Sequence, residues 1–74
     1  MWNDNNRRKP LERGYYHVFG PATYNGKASN QRYIANWDGR GWVEPITDFP
    51  WIQVHEIIVL MWFDMPKFNK ADLQ

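Results

Sequence analysis

Not one cysteine occurs in this chain, so neither a disulfide nor a cysteine-based zinc site can hold it closed, and folding rests on one core. At 74 residues that core is small, since a chain of this size buries only about 60% of the surface it exposes when unfolded. A single domain is expected over these residues. The compensation is aromatic: five Trp, four Tyr and four Phe can each remove roughly 150 to 250 Å² from water. Self-association is a further way to bury surplus rings in so small a scaffold.

Charge adds little that is global. A formal net charge of +1 gives no general attraction to nucleic acid or to an anionic membrane. Its distribution is uneven. Residues 1–40 carry seven Lys or Arg against three acids, and residues 41–74 carry two against five. Asn and Arg crowd the N-terminus where a signal peptide would need an apolar stretch. The longest apolar run, residues 57–63, falls well short of the roughly 20 residues that span a bilayer. The expectation is a protein of the cytoplasm with no membrane partner.

Along the chain, residues 1–13 are polar and basic without apolar period and are expected as a flexible arm. Tyr15, Tyr16, His17, Val18 and Phe19 form a β-favouring run closed by Gly20 and Pro21. Asn25 and Gly26 mark a turn within the polar stretch 22–31, an exposed loop or a weak hairpin. From Arg32 to Trp37 the pattern alternates, with Tyr33, Ala35 and Trp37 on one face, as in a half-buried strand. Asp38, Gly39, Arg40 and Gly41 then supply a tight reversal into Trp42 and Val43, a short returning strand that Pro45 ends.

Residues 47–63 admit two readings. Asp48 is placed to cap a helix with Pro50 in its first turn. Residues 57–63, however, are apolar on every side, rich in β-branched and aromatic residues and of strand length, which favours a central buried strand. Residues 67–74 form a polar tail. The expected fold is mainly β, one domain over residues 14–66 with a small antiparallel sheet of three to four strands. One short helix beside that sheet, an α+β arrangement, is the alternative.

Catalytic chemistry finds no foothold. Ser29 is the only serine and has no nucleophile-elbow glycines around it. His17 and His55 show no metal spacing and fit structural or surface roles, and the glycines do not match a phosphate loop. No cofactor is expected. Trp37, Asp38, Arg40 and Trp42 gather around a hairpin tip, and Trp, Tyr and Arg dominate interaction hot spots. With Tyr33, Tyr24 and Arg32 they form the candidate binding set, although paired Trp can equally face inwards as cross-strand core neighbours. Trp51 and Trp62 fit the core. Aromatics interleaved with Arg also suit stacking on a single strand or a nucleotide, with Tyr15 added to the candidates.

Leu11, Glu12, Gly14 and residues 16–19, then Ala35, Trp37 and Trp42, then Val59, Trp62, Met65 and Pro66, resemble a family of short phage and prophage proteins catalogued as a domain of unknown function. The likeness spans residues 10–66. Met61 stands where that family's closing run has His, and Lys9 and Pro10 alter the approach to the first strand. The resemblance implies a phage origin and an uncharacterised activity in the host cytoplasm, with no catalytic residues to carry over. Three roles follow as expectations: a non-catalytic binder of a host protein that inhibits a defence or replication enzyme, a single-stranded nucleic-acid or nucleotide binder, and a structural homo-oligomer.

Overall fold

The computed structural model describes residues 1–64, which are strands joined by turns, bends and irregular segments. Six strands follow in chain order: β1 (Trp2–Asp4), β2 (Gly14–Tyr24), β3 (Lys27–Trp37), β4 (Trp42–Ile46), β5 (Ile52–Gln53) and β6 (Met61–Phe63). They form one antiparallel sheet in the order β1-β6-β2-β3-β4, with β5 also on β2. Mainly β is therefore the fold, with more strands than the three to four expected. No helix forms among the described residues, and none there is long and apolar enough to cross a membrane.

The sheet is built on one long hairpin. β2 and β3 pair without a break from Gly14–Trp37 to Tyr24–Lys27. Asn25 and Gly26 join them with φ of 49° and 80°, the two positive values of a type I′ turn, whose twist matches that of the flanking strands. This corrects one expectation and decides another. The first strand does not stop at Gly20 and Pro21, and of the two readings of the stretch 22–31 the hairpin holds, with strand on both sides of the expected turn.

Pro21 survives inside β2 for a geometric reason. The two-residue turn makes Tyr24–Lys27 a hydrogen-bonded pair, so such pairs recur at every second step and Pro21–Asn30 lies between two of them. The Pro21 nitrogen thus points away from β3. On that side β6 reaches Val18 and Phe19, β5 reaches Thr23 and Tyr24, and Pro21 falls in the gap, where a missing donor costs nothing.

The reversal at residues 38–41 also forms, as expected, and its partner β4 runs on past Pro45. A bulge between the Ile34 and Asn36 pairings accommodates Glu44 at φ 51°. The run 57–63 is corrected as well: only Met61–Phe63 is strand. The preceding residues cross over β2 as an irregular segment, and Leu60 N–H donates to the Phe19 carbonyl at 2.9 Å. Gly20 permits that crossing, since a Cβ there would sit 2.0 Å from the Ile58 carbonyl oxygen.

Residues 1–13 are no free arm. β1 pairs with β6, Trp2 opposite Phe63, and Trp62 Nε1 donates to the Arg8 carbonyl at 2.8 Å. The 67–74 tail lies outside the described residues, as do the last two residues of the expected domain.

One face of the sheet carries the core: Tyr16, Val18, Tyr33, Ala35, Trp37, Val59 and Trp62, with Trp42, Val54 and Ile57 packed against them. Alternation explains the set, because Tyr16 and Val18 lie opposite Ala35 and Tyr33, and Trp62 lies opposite Val18. Tyr16 organises the rings. It meets Trp62 edge to face at 5.5 Å and Trp42 at 5.9 Å, and its hydroxyl donates to the Glu12 carbonyl at 2.8 Å.

Candidate functional site

The hairpin tip that sequence spacing singles out is a structural device. Trp37 is 8% exposed and its ring lies 5.2 Å from that of Trp42 at 59°. Trp42 is half-buried, and its Nε1 donates to Asn5 Oδ1 at 3.0 Å. Both Trp residues therefore face inwards, as does Tyr33 at 4% exposure. Burial of Trp37 and Tyr33 leaves those two rings little surface to offer a partner, and Trp42 keeps part of its own. Asp38 closes the turn, where its Oδ1 accepts the backbone N–H groups of Arg40 and Gly41, each at 2.8 Å. Those two bonds hold its carboxyl below the ordinary value of 3.8 against the opposing effect of burial, with lesser help from the charges of Arg13 and Arg40. Of the candidate set, Tyr24, Arg32, Asp38 and Arg40 stay exposed; Asp38 and Arg40 share the turn, and Tyr24 and Arg32 lie on β2 and β3.

Two other constellations take their place. The first is Phe49 and Trp51, stacked with centroids 4.7 Å apart and planes at 11°. The residues 49–52 make a turn, Ile52 N–H to the Phe49 carbonyl at 3.1 Å, with Pro50 at the position where its fixed φ is favoured. Thr47 Oγ1 donates to the same carbonyl at 3.2 Å. The turn is tied to the hairpin end through Asn25 N–H and the Trp51 carbonyl, 3.1 Å. Phe49 is 47% exposed and Trp51 45%, which corrects the expectation of a core Trp51, whereas Trp62 is in the core. Tyr24, 43% exposed, stands in the strand pair next to them, opposite Ile52.

The second constellation is a groove of about 310 Å³ lined by Trp2, His17, Arg32 and Phe63. It opens on the sheet face opposite the core. Trp2 and Phe63 are a cross-strand pair with ring centroids 5.1 Å apart, tilted by 60°, and each is half-buried. His17 and Arg32 come from adjacent strands of the long hairpin and are both exposed. Spacing could not have found this site. Trp2 and Phe63 meet only because β1 and β6 pair, and Trp2 stands in a polar stretch without an alternating pattern. A smaller depression of about 220 Å³ lies between residues 21–28 of the hairpin and His55, Glu56 and Ile58.

Elsewhere on that face Tyr15 donates its hydroxyl to the Glu44 carboxylate. The left-handed Glu44 backbone brings this carboxylate back over the sheet. Among the described residues no three His, Asp or Glu side chains converge as metal ligands would. No family model matches the chain, and no curated protein or solved structure matches it either.

Proposed function

We propose that this protein is a non-catalytic binder that acts by covering a surface of a partner protein, with the Phe49–Trp51 stack as its anchor. One observation carries the reading: two large rings are held parallel and half exposed by a proline turn that is itself hydrogen-bonded to the end of the main hairpin. Rings fixed before contact lose little entropy on binding, and Trp is among the residue types that dominate interface energetics. Tyr24 beside them and Arg40, at the far turn, are among the candidate residues that remain accessible. The resemblance of residues 10–66 to short phage proteins makes the partner a host protein of the bacterial cytoplasm. A host defence or replication enzyme inhibited by occupancy is the target class in this reading.

Affinity capture of the tagged chain from bacterial lysate, with and without nuclease, tests it. The expected result is one host protein retained in both samples and lost with Phe49→Ala and Trp51→Ala combined. Each truncation should weaken the purified complex by about 2 kcal/mol, roughly thirtyfold in affinity. Both side chains are exposed enough for the variants to keep the fold, which circular dichroism checks. A capture empty in both samples rejects the reading, and retention unchanged by the double variant rejects the anchor.

A further inference from the structure

The geometry points to the groove between Trp2, Phe63, His17 and Arg32 as a binding site for a mononucleotide group, a single base stacked on the rings with its phosphate against Arg32. This goes beyond the protein-binding reading and uses a different set of residues. Three features carry it.

The first is the pairing of ring and cation in one cavity. Trp2 and Phe63 both line the groove and are both half-buried, so each keeps ring surface that a planar base can cover. Such stacking on an aromatic side chain serves any base, because every base has a π-face. Arg32 supplies a planar fork of donors suited to phosphate oxygens.

The second is charge. Arg32 is exposed, and no hydrogen bond or ion pair engages it among the described residues. Asp4 lies on the same sheet face, but its Oδ1 accepts the Asn6 N–H at 2.9 Å within its own turn. An anion entering the groove therefore meets a cation whose charge no carboxylate among the described residues has taken up.

The third is size. At about 310 Å³ the groove stands at the lower end of the roughly 300 to 1,000 Å³ range of small-molecule sites. That suits one base with its sugar phosphate and leaves no room for a second stacked base. The shared chemistry has two sources, a free mononucleotide and the phosphorylated end of a single strand.

The test is a nitrogen-15 NMR titration of the full chain with adenosine monophosphate, adenosine, inorganic phosphate and a 5′-phosphorylated tetranucleotide. The Trp2 indole N–H is identified by its loss in Trp2→Phe. Adenosine monophosphate should shift that resonance, and adenosine and phosphate alone should each bind about tenfold more weakly or worse. Arg32→Gln, a change at an exposed site, should weaken binding by about tenfold or more, whereas Arg40→Gln and the Phe49/Trp51 double variant should leave it unchanged. Comparable binding of the phosphorylated tetranucleotide supports the site and assigns a strand end as a source, and binding of adenosine monophosphate alone supports the free nucleotide. No shift of the Trp2 indole with adenosine monophosphate or tetranucleotide up to about 5 mM, or equal affinity in Arg32→Gln, overturns the proposal. Since the double variant leaves this groove intact, failure here and failure of the protein-binding reading are separately visible.

Discussion

Tyr33 packs its ring into the core while its hydroxyl finds no partner among the described residues. The cost of burying an unpaired hydroxyl is comparable to that of a lost hydrogen bond. Tyr33→Phe should therefore leave stability unchanged or raise it by up to about 1 kcal/mol in urea unfolding. Tyr16→Phe supplies the contrast, since its hydroxyl donates to the Glu12 carbonyl at 2.8 Å and its removal should cost about 1 kcal/mol. A Tyr33→Phe protein as destabilised as Tyr16→Phe would show that the hydroxyl has a partner after all. The two residues look alike in sequence, each a Tyr in a β-favouring run. What separates them is the neighbour of each hydroxyl, which alternation does not encode.

Elements became legible in the sequence to the degree that one of their faces was buried. Residues 32–37 alternate because Tyr33, Ala35 and Trp37 meet the core and their neighbours do not, and that register reads directly from the chain. Residues 22–31 belong to the same hairpin but lie mostly in solvent, so no apolar period marks them, and only the Asn25–Gly26 pair betrays the turn. The apolar run 57–63 misleads in the opposite sense. Val59 and Trp62 are buried, whereas Ile58 and Leu60 are largely exposed, because the segment crosses over β2 before it joins the sheet. Gly20 is the tolerance that makes the crossing possible. Gly20→Ala would press a methyl group to 2.0 Å from the Ile58 carbonyl oxygen, a backbone atom that cannot rotate away. The expected loss is about 2 to 3 kcal/mol in urea unfolding, larger than the modest effect of adding a methyl in an open strand. A neutral result would mean that the crossing segment lifts freely.

At the scale of the whole molecule the buried tyrosines set an alkaline limit. The Tyr15 hydroxyl is held above its ordinary value of 10.0 by its hydrogen bond to Glu44, with burial and the charge of that carboxylate adding, and Asn36 opposing. Tyr16 is raised by burial and by the charges of Glu12 and Asp64, and Tyr33 by burial alone. In each case the folded chain keeps its proton when the unfolded chain has released it. The stability these groups contribute is complete below pH 10 and is lost as pH rises through the folded-state values. The urea midpoint should thus fall steeply above about pH 10, and Tyr33→Phe should make the fall shallower. Identical alkaline limbs for the two proteins would contradict this.

The groove was the least legible feature at this scale, since Trp2 and Phe63 are brought together by β1 and β6 from opposite ends of the described chain. That distance has a temporal counterpart. The hairpin of β2 and β3 can zip from its two-residue turn within about microseconds, whereas joining β1 to β6 must close nearly the whole chain and carries the larger entropy loss. A molecule with only that hairpin formed would hold His17 and Arg32 on adjacent strands and lack the Trp2–Phe63 side of the groove. The groove is thus expected to be completed last, and a ligand that depends on it would then distinguish a finished protein from one still folding.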